Sequence, residues 1–89
     1  DPYIAEYAKL RADGFCQLCG EKAPFYTKNN KPYLEAHHLK WLSKGGIDTI
    51  DNVVALCPNC HRKMHELNNK DDIKKLKMVL DEYDKIRDY

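Results

Sequence analysis

Eighty-nine residues make one small domain, near the size at which a hydrophobic core alone gives marginal stability and a metal or disulfide is commonly recruited. Fifteen Lys and Arg against fourteen Asp and Glu leave a net charge of +1, which excludes a generic polycation. If nucleic acid is the partner, it meets a local patch and a metal, or another part of a longer protein supplies most phosphate contacts.

There is no signal peptide and no transmembrane run, so the sequence points away from membranes and towards the cytoplasm. A start at Asp1 rather than Met agrees with a segment of a longer protein. The four cysteines form two C-x-x-C pairs, Cys16 with Cys19 and Cys57 with Cys60, and none is left over. In a secreted chain these would be disulfides. Without secretion signals, four thiolates at this spacing match the tetrahedral donor set of a structural zinc ion.

In chain order, Asp1 is placed as an N-cap and Pro2 at the first position of a helix over residues 2–11. Its apolar residues Ile4, Tyr7, Ala8 and Leu10 recur at helical spacing, and Asp13-Gly14 ends it. The first knuckle, Cys16-Gln17-Leu18-Cys19-Gly20, follows, with Gly20 permitting the tight turn. Residues 21–31 are polar and turn-rich, and residues 33–39 alternate as one strand. Alternation turns His37 and His38 to opposite sides, so the two suggest two jobs. Ser43-Lys44-Gly45-Gly46 is a loop whose glycines allow positive φ or close backbone approach. Val53-Val54-Ala55-Leu56 is a second short strand, completing a hairpin and leading into the second knuckle. Pro58 then opens a helix carrying His61 and His65. A last helix, capped by Asn69 with Asp72 three residues on, carries the stripe Ile73, Leu76, Leu80, Tyr83 and Ile86. Its charges balance, so its polar face reads as solvated.

All four histidines fall between residues 37 and 65. His61 and His65, four apart on a helix, share one face about 5–6 Å apart and can share a metal ion. With His37 they would supply three imidazoles and leave open positions, as a catalytic metal site needs. His38, facing elsewhere, is the candidate general base that deprotonates an attacking water. A metal that stabilises charge on a phosphate and its leaving oxygen, beside such a base, amounts to one-metal phosphodiester hydrolysis.

Ala36-His37-His38-Leu39, Gly45-Gly46, Asp51-Asn52 and Leu56-Cys57-Pro58-Asn59-Cys60-His61 resemble the HNH endonuclease family. The resemblance runs from about Cys16 to His65. It implies an α+β fold: a small ββα-metal finger with a four-cysteine structural zinc site and flanking N- and C-terminal helices, one nuclease domain over 1–89 with its core at about 15–66. It implies His38 as general base, His37 and His61 as ligands, and Asn52 in a structural part that places the base. His65 resembles the extra ligand of the H-x-x-x-H branch. The carboxylate that many members carry before the base is replaced here by His37. The catalytic ion is a divalent metal, Mg²⁺, Mn²⁺, Ni²⁺, Co²⁺ or Zn²⁺, and an imidazole-rich site favours the last four.

The phrase His-His-Leu-x-x-Leu-Ser-x-Gly-Gly with Cys-Pro-Asn-Cys-His-Arg-x-x-His most resembles the nuclease ends of McrA-type restriction enzymes, some of which cut modified DNA. DNA is then the substrate, with Lys40, Lys44, Arg62 and Lys63 flanking the site as candidate phosphate contacts. A homodimer, or a DNA-recognition domain in the same full-length chain, would complete double-strand cutting or targeting. The alternatives are a non-catalytic zinc-dependent nucleic-acid-binding module and a two-zinc structural module. Neither needs His38.

Overall fold

The computed structural model describes residues 1–87; Asp88 and Tyr89, the end of the expected 1–89 domain, lie outside the described residues. Helix α1 spans Pro2–Ala12, with the Asp1 carboxylate accepting the Tyr3 N–H at 2.8 Å. It ends at Asp13 and Gly14, both with positive φ. The expected apolar face needs correction. Tyr7 and Leu10 are 45% and 69% exposed, while Ala8 and Ala12, one turn apart, are buried. Their small side chains let the helix lie close against the second strand, with Ala12 packed on Leu34 and Ala55. A larger residue at either position would hold the helix off.

The first knuckle closes through the Gly20 N–H bonded to Cys16 O at 2.9 Å, with Gly20 at φ +78°. Residues 21–31 are more ordered than a polar loop. Tyr26 pairs with Pro32 in an antiparallel bridge, closed by Thr27 N–H to Lys31 O at 2.8 Å. The strand expected over 33–39 is shorter, β1 at Glu35–His38. Leu39 N–H still bonds Asn52 O across the hairpin, but Lys40 N–H turns to the Asn52 side chain and the pairing ends.

Strand β2, Val53–Leu56, pairs antiparallel with β1, setting His37 opposite Val54 and His38 opposite Val53. All four β2 residues are buried because both of its faces are covered. Val54 and Leu56 face Cys16, Leu18, Met64, Leu76 and Leu80, whereas Ala55 packs on the other side with Ala12 and Leu34. The outer edge of β2 is satisfied by Gln17, whose N–H bonds Ala55 O at 3.0 Å and whose side-chain oxygen accepts Ala55 N–H at 2.9 Å.

Helix α2, Pro58–Glu66, starts as expected, with Cys57 as N-cap and Pro58 in the first turn. Helix α3, Lys70–Arg87, is capped by Asn69, which accepts Asp72 N–H at 2.9 Å. Leu76 and Leu80 are buried, but Ile86 is 67% exposed, because the helix runs past the core it packs on. The fold is α+β, a two-stranded sheet and helix with helices flanking it on both sides in sequence. Among the described residues no helix is long and apolar enough to cross a membrane.

Candidate active site

Strand parity carries His37 inward, where it is 2% exposed. There it meets α2: its ring centroid lies 5.2 Å from that of His61 and 5.1 Å from that of His65. The i,i+4 spacing brings His61 Nε2 and His65 Nε2 to 3.1 Å. One nitrogen from each of the three rings lies within 4.8 Å of the others. Metal–nitrogen bonds of about 2.0–2.1 Å place the nitrogens of a tetrahedral site about 3.3 Å apart, so this cluster is near ligand geometry.

Two further observations fit a metal here. His37 Nε2 is buried without a hydrogen-bond partner, the state of a donor atom facing an ion. Burial first, then the neighbouring His61, His65 and His38, push the His37 imidazole down to about 4, which keeps it neutral as a ligand must be.

His61 Nδ1 lies 2.8 Å from Glu35 Oε1, and Tyr33 donates its hydroxyl to Glu35 Oε2 at 2.7 Å. The Tyr33 hydroxyl and then His61 hold the Glu35 carboxyl below its ordinary range, while the Glu35 carboxylate pushes the Tyr33 phenol up. Tyr33 is itself stacked on Phe25 at 4.6 Å. Sequence reasoning missed both Glu35 and Tyr33. The signal was present, since Tyr33-x-Glu35-x-His37 keeps one side of an extended chain.

His38 points away from the cluster, with Nε2 2.8 Å from Asp48 Oδ1. Asp48 was not expected from the sequence. Asn52 brackets the intervening loop: its side chain accepts Lys40 N–H at 2.8 Å and donates to Lys40 O and Ile47 O at 2.9 Å each. The two glycines divide the work. Gly45 has φ +88°, and Gly46 passes so close to Lys40 and Trp41 that a Cβ there would run into the Lys40 carbonyl.

Histidines 37, 38, 61 and 65 share a cleft of about 300 Å³ with Trp41 and Ser43. The Trp41 ring sits 5.3 Å from that of His65, and Lys44 Nζ lies 5.3 Å over the Trp41 ring. Lys40 is exposed beside it. Arg62 borders a second depression with Glu35, His61 and His65, within 3.9 Å of Glu66. Lys63 pairs with Asp72 at 3.0 Å, tying α2 to the start of α3.

The sulfurs of Cys16, Cys19, Cys57 and Cys60 form the second group able to hold a metal, again within 4.8 Å of one another. None is in a disulfide. Burial raises the Cys16 thiol, but the amide N–H groups of Cys19, Cys57 and Leu18 outweigh it and bring it down to about 7. Burial and the neighbouring thiols push Cys60 up, and burial pushes Cys19 up. A cation is what would ionise all four together.

The HNH endonuclease family model matches residues 16–67, which spans the first knuckle, both strands and α2. The chain belongs to the HNH endonuclease family. The chain is 48% identical over 73 residues to the Type IV methyl-directed restriction enzyme EcoKMcrA of Escherichia coli (strain K12), an alignment covering 82% of this chain and 26% of that protein. It is 40% identical over 58 residues to Anaredoxin of Nostoc sp. (strain PCC 7120 / SAG 25.82 / UTEX 2576), covering 65% of this chain and 66% of the relative. The solved structure of the Type IV phosphorothioation-dependent restriction endonuclease ScoMcrA superposes with a TM-score of 0.73 at 30% identity, covering 90% of this chain and 16% of that one. This HNH endonuclease chain therefore spans about a quarter of the E. coli relative's length and less of ScoMcrA. The McrA-type resemblance read from the sequence is borne out.

Proposed function

We propose that this chain is the DNA-cleaving domain of a restriction-type endonuclease, its core at about 15–66, working within a longer cytoplasmic protein. The observation that carries the reading is the division of labour at residues 37 and 38. His37 joins His61 and His65 in a three-nitrogen cluster, while its neighbour His38 stays out of the cluster yet in the same cleft. A purely structural metal module has no use for that fourth histidine.

On this reading His37, His61 and His65 hold one divalent ion, which when bound supplies Lewis-acid stabilisation of charge on the phosphate and the leaving oxygen. His38 accepts a proton from water as the water oxygen attacks phosphorus and the bond to the leaving sugar oxygen breaks. Asn52 holds the loop that follows the strand bearing the base, so that the base is correctly placed. Lys40, Lys44 and Arg62 contact phosphates around the scissile bond. Lys63 contributes less, because Asp72 already engages it. The four thiolates hold a structural zinc ion that fastens the base of α2 to the first knuckle.

Two relatives carry names that tie them to modified DNA, one methyl-directed and one phosphorothioation-dependent. We extend that to this protein as modification-directed cleavage, with another domain of the full chain, or a second copy, doing the recognition. The test is plasmid cleavage by the purified chain across Mg²⁺, Mn²⁺, Co²⁺, Ni²⁺ and Zn²⁺, with His38→Ala beside it. Wild type should nick, and His38→Ala should lose about 10²–10⁴-fold in rate while still binding metal. Wild-type cleavage by His38→Ala removes the base assignment. No cleavage with any ion leaves a non-catalytic binding module.

A further inference from the structure

The cleft leaves unexplained how His38 is kept in the one state that can act as a base. A neutral imidazole carries its proton on either nitrogen and can turn over about its side-chain bond, so a free ring offers the correct lone pair only part of the time. The structure restricts both. Asp48 Oδ1 lies 2.8 Å from His38 Nε2, and a carboxylate can only accept. The proton is therefore held on Nε2, and Nδ1 is the nitrogen left with its lone pair.

Asp48 does not reach this position by chance of a mobile surface loop. The carbonyl of the preceding residue, Ile47, is held by Asn52 Nδ2 at 2.9 Å, and Gly46 N–H is held by Trp41 O at 2.9 Å. Asn52, in turn, grips both backbone groups of Lys40, two residues beyond His38. Both ends of the His38–Asp48 contact are thus fixed by one asparagine.

We propose that Asp48 is a positioning residue for hydrolysis: it fixes the His38 tautomer with Nδ1 free and stabilises the imidazolium formed when Nδ1 takes the proton of the attacking water. The proposal rests on the reading of His38 as general base. The proton stays on the imidazole and does not pass to Asp48, as in other carboxylate-oriented histidine bases. The water loses a proton to Nδ1, its oxygen bonds phosphorus, and the leaving oxygen departs with the bonding pair.

The test uses Asp48→Ala and Asp48→Asn, with His38→Ala as reference. Asp48→Ala should lower kcat about 10–100-fold with KM and the affinity of the histidine cluster for divalent metal unchanged. In the zinc-loaded protein, the ¹⁵N signals of the His38 ring should move from a single Nε2–H tautomer in wild type to a mixture. Asp48→Asn presents an amide that can donate as well as accept, so it no longer imposes the Nε2–H tautomer, and it should lower kcat while keeping the size of the side chain. Wild-type kcat in Asp48→Ala overturns the proposal, as does a lost kcat with the tautomer unchanged, which would make Asp48 a tether of the loop alone. If Asp48→Ala fails to fold, Asp48→Asn decides: reduced kcat at wild-type melting temperature supports the proposal, and wild-type kcat overturns it. His38→Ala separates the two readings. An inactive His38→Ala beside a fully active Asp48→Ala removes only the positioning role, whereas an active His38→Ala removes the base itself.

Discussion

His61 Nδ1 lies 2.8 Å from Glu35 Oε1, joining a strand residue to a helix residue 26 positions along the chain. That contact holds the proton on Nδ1 and turns His61 Nε2 towards His65 and His37. Carboxylates in this position fix both the tautomer and the orientation of a ligand histidine. Glu35→Ala should therefore weaken divalent-metal binding at the histidine cluster about 10–100-fold, with the metal at the thiolates retained. Calorimetric titration of the zinc-loaded protein measures this. Undiminished affinity would make Glu35 a surface contact only.

The thiolate cluster should decide whether the chain folds. Cys57→Ser is a sharp probe because serine is as good an N-cap as any residue, so the helix start is not what the change removes. What it removes is one of four sulfurs. Structural zinc supplies about 10–16 kcal/mol in small metal-folded domains, comparable with or above the about 5–15 kcal/mol that a whole domain has in hand. The variant should show no cooperative thermal transition and less than stoichiometric zinc. A well-folded, zinc-free Cys57→Ser protein would sink the assignment.

What the sequence made legible was local. Paired ligands recur within four residues, as C-x-x-C and H-x-x-x-H, so their convergence follows from turn and helix geometry alone. Strand parity likewise separated His37 from His38. The orienting carboxylates were missed because the pairing of Asp48 with His38 needs the Asn52 loop, and that of Glu35 with His61 needs the strand set against the helix. On α1, hydrophobicity pointed to Tyr7 and Leu10, yet close packing on β2 selected Ala8 and Ala12. Size outweighed hydrophobicity there. On α3 the stripe continued through Ile86, past the end of anything to pack against.

Gly46 is a position where a single methyl group should separate metal binding from catalysis. A Cβ at Gly46 would collide with the Lys40 carbonyl and stand 2.9 Å from Trp41 O, both backbone atoms that cannot rotate aside. The loop must shift, and with it the Asn52 bracket and Asp48. Gly46→Ala should cost about 1–3 kcal/mol in stability, the range for overpacked sites. Cleavage should fall while the histidine cluster, built on β1 and α2, binds metal as before. Equal cleavage by wild type and variant would show that the base does not depend on this loop.

Acid should destabilise the protein through His37. Its imidazole sits at about 4 in the folded chain against an ordinary 6.5, so between those values the unfolded chain binds more protons. Stability associated with the neutral ring is fully present above 6.5 and is lost as the pH falls towards 4, amounting to about 3 kcal/mol across the whole window. His37→Asn does not titrate there and keeps the thiolate site, so the acid sensitivity of that site is common to both proteins. Denaturant unfolding at about pH 7 and about pH 5 should show wild type losing more stability than His37→Asn. Saturating divalent metal should extend the wild-type loss below pH 4, because metal and proton compete for the same nitrogen in the folded chain while the unfolded chain still takes up its proton near 6.5. Parallel losses in the two proteins would mean that His37 takes up its proton at the same pH in the folded and unfolded chain, and that its burial does not hold it neutral.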